Sequence, residues 1–146
     1  MNVLRTAAAV LWVAGAVVVV AALAGAGWFR SPAARPQAGG TMRVTADPGM
    51  RFGGRVPGPP LRVRAGRPVR LVVENRDTLQ HDLWVVGAEE RAPYLEPAFP
   101  GAKTRLLEPG QVEHIQFTPT RPGRYRYVCT VPGHDATMFG ELVVEE

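Results

Sequence analysis

The stretch Tyr127-Val128-Cys129-Thr130-Val131-Pro132-Gly133-His134-Asp135-Ala136-Thr137-Met138-Phe139-Gly140 holds the only cysteine of the chain, a histidine five positions on and a methionine four beyond that. A thiolate, an imidazole and a thioether this close together are soft and borderline donors of the kind that suit copper. Without a second cysteine they make neither a disulfide nor a closed Cys2His2 zinc site. One further histidine completes a His2Cys set with a weak axial methionine, the ligand set of an electron-transfer copper centre.

His81 is the best candidate for that histidine. It opens a run in which Leu83 and Val85 alternate with Asp82, Trp84 and Val86, so a strand starting at His81 puts its ring at the end of a sheet. In Arg124-Tyr125-Arg126-Tyr127-Val128-Cys129 the period of two places Tyr125, Tyr127 and Cys129 on one face, with the sulfur at the strand's end. Pro132-Gly133 turns the chain so that His134 reaches back, and Met138 stands at the foot of the loop before Phe139 to Val144 form a closing strand. A lone cysteine in a strand is commonly just a small buried apolar residue, and a histidine opening a strand is commonly a surface residue. The Cys-x4-His-x3-Met offsets on one loop shift both towards metal ligation. His114 alternates out of phase with Ile115 and Phe117 and faces solvent.

The rest of the chain reads as a frame for this loop. From Thr41 onward, short apolar runs are separated by proline and glycine: Met42-Val44-Ala46, Leu61-Val63-Ala65, Val69-Leu71-Val73, a short strand over Thr104–Leu107, and Gln111–Thr118 with Ile115 and Phe117 inward. Asn75–Gln80 is polar and loop-like, and Gly87–Lys103, with three prolines and no period, reads as a long surface loop. Seven or eight short strands with turns between them predict an all-β sandwich or Greek-key barrel. The 14 prolines and 16 glycines agree with a turn-rich β domain.

Ahead of that domain, Ala7–Phe29 is a charge-free stretch of 23 residues with Trp12 and Trp28 near its ends. As a helix it measures ~35 Å, enough for a hydrocarbon core of ~30 Å. Residues 1–30 are therefore predicted to be a membrane anchor, with a cleaved signal peptide as the competing reading, since Ala22-Leu23-Ala24 and Ala24-Gly25-Ala26 resemble cleavage sites. Residues 31–40, SPAARPQAGG, read as a flexible linker, leaving 41–146 for the β domain. Either reading exports that domain from the cytoplasm. The formal charge of +4 is modest, and no basic run carries interleaved aromatics, which argues against nucleic-acid binding.

The pattern Tyr127-x-Cys129-x-x-Pro132-Gly133-His134-x-x-x-Met138-x-Gly140, with Asn75-x5-His81-Asp82 upstream, resembles the cupredoxins, the small blue copper proteins. The resemblance spans residues 41–146 and assigns no subgroup. It implies a Greek-key β-sandwich and one mononuclear copper with His81, Cys129 and His134 as strong ligands and Met138 as the weak axial one. It also implies that Asp82, following the first histidine, ties its strand to the cysteine loop by a hydrogen bond to Thr130. If Asn is the usual residue there, Asp adds a negative charge that favours Cu(II). Electrons are expected to leave through the edge of the His134 ring.

The function expected is that of a membrane-tethered, extracytoplasmic one-electron carrier, monomeric and not an enzyme. It would serve redox partners such as a quinol-oxidising complex, a cytochrome or a terminal oxidase. Four protein ligands saturate the metal and leave no open position for a substrate. A copper storage, delivery or resistance protein is the alternative; it would gain from additional exposed Met or His donors, of which the sequence has few. A metal-free structural domain on the same fold is disfavoured by the intact ligand set.

Overall fold

The computed structural model describes residues 41–92 and 95–146, and within them every regular element is a strand. The expected anchor and linker (1–30 and 31–40) lie outside the described residues; among those described, no helix is long and apolar enough to cross a membrane. The strands are β1 (Thr41–Asp47), β2 (Arg51–Phe52), β3 (Leu61–Arg64), β4 (Val69–Asn75), β5 (Trp84–Gly87), β6 (Val112–Phe117), β7 (Gly123–Val128) and β8 (Phe139–Glu145). They form two four-stranded sheets, ordered β2-β1-β4-β6 and β3-β8-β7-β5. From β2 to β7 every connection changes sheet, so the two layers are laced together along the chain.

Alternation sets the core. Met42, Val44 and Ala46 on β1 and Gly140, Leu142 and Val144 on β8 are buried while their neighbours are not. Each sheet contains one parallel pair, β1 with β4 (Val44 opposite Val73) and β3 with β8 (Val63 opposite Val144), and antiparallel pairs otherwise. The in-facing rows interleave between the layers, as where Phe52 of β2 meets Tyr127 of β7 with ring centroids 5.2 Å apart. Each such large apolar side chain contributes about 1.5–3 kcal/mol on burial.

Three expectations change. The strand predicted to open at His81 begins instead at Trp84. His81 and Leu107 exchange both backbone hydrogen bonds (3.1 and 2.7 Å), and Trp84 bridges Lys103, but residues 82–83 face 104–106 between those bridges. The unequal counts make a bulge that breaks the ladder, so Thr104–Leu107 is no strand either. There the Leu83 amide donates to the Thr104 hydroxyl at 3.0 Å. The segment from Gly87 to Lys103 is also more than a surface loop. Its Phe99 and Ala102 are fully buried, Phe99 stacking on Phe117 (6.1 Å, 7°) and tilting against Tyr125 (4.7 Å). The Ala98 amide and the Ala102 carbonyl bond to the Val85 backbone, so the returning chain covers the β5 edge.

Candidate metal centre

The centre is built at one end of the sandwich from two connections. The first is the crossover after β4. Buried Asn75 donates through Nδ2 to the carbonyls of Leu79 (2.7 Å) and Leu107 (3.0 Å) and accepts the Asp77 amide on Oδ1 (3.0 Å). This side chain replaces backbone partners that a turning chain lacks, and it delivers His81 to the interior, 1% exposed. The second is the β7–β8 loop. Gly133 adopts φ 84°, a conformation in which glycine pays no Cβ penalty. The Cys129 amide donates to the Met138 carbonyl (3.0 Å) and the Met138 amide to the His134 carbonyl (2.7 Å). The loop is thus closed at its base and folded back on its own histidine.

These connections bring three donor atoms together. His81 Nδ1 lies 3.2 Å from His134 Nδ1, and Cys129 Sγ lies 3.7 Å and 3.6 Å from them respectively. The point equidistant from all three is about 2.0 Å from each, which matches zinc–imidazole bonds of ~2.0–2.1 Å and falls a little short of the ~2.3 Å of zinc–thiolate. The triangle therefore has the dimensions of a first-row metal ion. Met138, the fourth residue expected from sequence, is fully buried among the core side chains, its backbone tied to Cys129 and His134 as above. His134 is half-buried and is the ligand candidate nearest the surface.

Burial sets the protonation of two of the donors. Burial pushes the Cys129 thiol up to about 12, with the amides of its surroundings only partly opposing the shift. Burial, helped by the neighbouring His81 ring, lowers His134, so its imidazole is held neutral with a lone pair to offer. Asp82 accepts from the Thr130 amide (2.6 Å) and from the Thr130 hydroxyl, so the loop after Cys129 is fastened to the segment after His81 by two bonds.

One residue of this site went unread in the sequence. Asp77, 6% exposed, places Oδ2 3.2 Å from His81 Nε2, on the side of the ring away from the donor triangle. Burial alone raises a carboxyl, but hydrogen bonds from His81 and from the Thr78 and Met50 amides hold Asp77 below the usual carboxylate range. The signal was its place four residues before His81, inside a stretch that composition marks only as polar.

A two-layer β-sandwich with one cysteine and two histidines converging at its end defines a cupredoxin domain. The model of the multicopper oxidase family matches residues 36–146. The chain is 29% identical over 102 residues to auracyanin-A of Chloroflexus aurantiacus, covering 58% of this chain and 63% of that protein. It is 32% identical over 115 residues to the copper-resistant cuproprotein CopI of Rubrivivax gelatinosus, covering 71% and 66%. The chain thus spans just under two thirds of either relative. Among solved structures, dithionite-reduced auracyanin from Roseiflexus castenholzii superposes with a TM-score of 0.60 at 26% identity, over 73% of this chain and 97% of that one. The chain belongs to the cupredoxins, with a domain of the multicopper oxidase family type.

Proposed function

We propose that the domain holds one copper ion through His81 Nδ1, Cys129 Sγ and His134 Nδ1, with Met138 as weak fourth ligand, and carries single electrons outside the cytoplasmic membrane. The observation that carries this reading is the triangle of donors spaced 3.2–3.7 Å apart. Copper bound there supplies a one-electron Cu(I)/Cu(II) couple. The chain's part is to hold the donors still and dry. His81, Cys129 and Met138 are inaccessible, and both ligand segments are locked by hydrogen bonds. Four protein donors leave no open position for substrate, which supports a carrier rather than an enzyme. His134, half-exposed, offers its ring edge as the way in and out for an electron. Residues 1–30 serve as a membrane tether that raises the local concentration of the domain near membrane partners, such as a quinol-oxidising complex, a cytochrome or a terminal oxidase.

A second reading, copper resistance by binding or delivery, is favoured by the similarity to CopI. The first test is to add Cu(II) to the purified full chain and follow the visible spectrum. An intense thiolate-to-copper band that bleaches with ascorbate and returns on oxidation is expected. Absence of that band, with Cys129→Ser binding copper as tightly as the parent, sinks the proposal. Copper loss to a chelator, compared with electron self-exchange, separates the two readings: fast loss with slow exchange favours delivery.

A further inference from the structure

We propose that Asp77 is the positioning residue of this centre, fixing His81 as the Nε2–H tautomer so that Nδ1 stands ready as a metal ligand, and biasing the bound ion towards its higher charge. The inference rests on the copper reading for its redox part only; the tautomer belongs to the protein alone.

The geometry points both ways from one ring. His81 presents Nδ1 to the donor triangle, 3.7 Å from Cys129 Sγ and 3.2 Å from His134 Nδ1, and Nε2 to Asp77 Oδ2 at 3.2 Å. A carboxylate only accepts, so the proton sits on Nε2, and the opposite nitrogen keeps its lone pair. The carboxylate is itself held in place. The Thr78 amide donates to Oδ1 at 2.6 Å, the Thr78 hydroxyl to the same oxygen at 3.3 Å, and the Met50 amide adds another bond. Met50 makes that contact from a left-handed backbone conformation, φ 57°, which is uncommon for a non-glycine residue. The turn after β1, the crossover after β4 and the metal ligand are therefore joined through one side chain. A histidine whose far nitrogen donates to a carboxylate is a more basic ligand than one donating to a neutral group, and it stabilises the more highly charged ion more.

The test uses the full chain and three readouts. In the metal-free protein, nitrogen NMR of the His81 ring should find the proton on Nε2; in Asp77→Ala it should redistribute towards Nδ1. With copper, Asp77→Asn should weaken Cu(II) binding by about 10–100-fold and leave Cu(I) binding nearly unchanged. At ~59 mV per tenfold for one electron, that difference raises the reduction potential by about 59–118 mV. Thr78→Ala, which touches the same carboxylate without removing it, should show neither shift. A purely structural Asp77 would lower the melting temperature of the metal-free protein yet leave tautomer and potential alone, and that result overturns the proposal. So does an Nδ1–H tautomer in the parent protein, which decides the matter even where Asp77→Asn fails to fold. A parent that binds no copper but has the Nε2–H tautomer refutes the copper reading while leaving the positioning of His81 in place.

Discussion

Gly140→Ala should destabilise the domain severely, and only because of Tyr127. A Cβ at residue 140 would stand 2.1 Å from Tyr127 Cζ, 2.2 Å from its hydroxyl oxygen and 2.4 Å from Cε1. Carbon atoms in contact sit ~3.5–4.0 Å apart, so the ring would have to retreat by more than ~1 Å. It is hemmed in on every side. Tyr127 is fully buried, donates its hydroxyl to the Pro59 carbonyl at 2.5 Å and packs on Phe52; the hydroxyl also lies against Gly58, where an added Cβ would meet it at 2.6 Å. Overpacking of this kind costs about 1–3 kcal/mol, and stranding the hydroxyl of buried Tyr127 without its hydrogen bond about 1–3 kcal/mol more. A total near 4 kcal/mol is expected. In a Tyr127→Leu background the ring is gone, and the same glycine substitution should cost less than about 1 kcal/mol, giving a coupling at the upper end of the ~0.5–3 kcal/mol usual for touching residues. Denaturant unfolding of the four metal-free proteins at matched m-values measures this cycle directly. An equal penalty in both backgrounds, or a Gly140→Ala protein within about 0.5 kcal/mol of the parent, would refute the reasoning.

Three further outcomes follow from the packing and charge of the site. Phe99→Ala should cost about 3–5 kcal/mol in the same unfolding assay, because it empties a buried space between Phe117 and Tyr125; a value typical of surface loops, within about 0.5 kcal/mol, contradicts the core placement. Since burial pushes the Cys129 thiol up to about 12, ligation must expel its proton, and lower pH opposes it. Cu(II) affinity measured by chelator competition should then rise about tenfold per pH unit from ~7 to ~9, whereas a plateau near the ~8.5 of a free thiol counts against that shift. Asp82→Ala, which releases both bonds to Thr130, should weaken copper binding about 10–100-fold. Asp82→Asn should keep most of the affinity and raise the potential, and an unchanged potential in voltammetry argues that the Asp82 charge does not reach the metal.

The candidate donor loop could be picked out from sequence because its chemistry is local: Cys129, His134 and Met138 lie within ten positions, where donor type and turn residues suffice to suggest a site. The strands of the inner faces could be read for the same reason, since alternation in Met42-Val44-Ala46 or Leu61-Val63-Ala65 is a property of neighbours. What escaped depends on distant partners. Phe99 sits in a stretch without periodicity, and its burial follows from an opening between β6 and β7 that no local pattern announces. The bulge between residues 82–83 and 104–106 needs both sides of the pairing to be counted at once. Asp77 is a polar residue in a polar loop, and its role emerges only when the fold places its carboxylate behind the His81 ring.

The centre draws its donors from two connections on opposite sides of the chain's history: His81 from the crossover between the sheets, and Cys129, 48 positions later, from the β7–β8 loop. An ion gripped by both is a crosslink. With one cysteine the chain has no disulfide of its own, and a coordinated metal closes a ring of the size that a disulfide would. On the chain-entropy scale for covalent loops of that length, such a closure is worth about 4 kcal/mol to the folded state. The ion that would carry the electron would then also act as the staple of the sandwich, and its loss would loosen the seam between the two sheets.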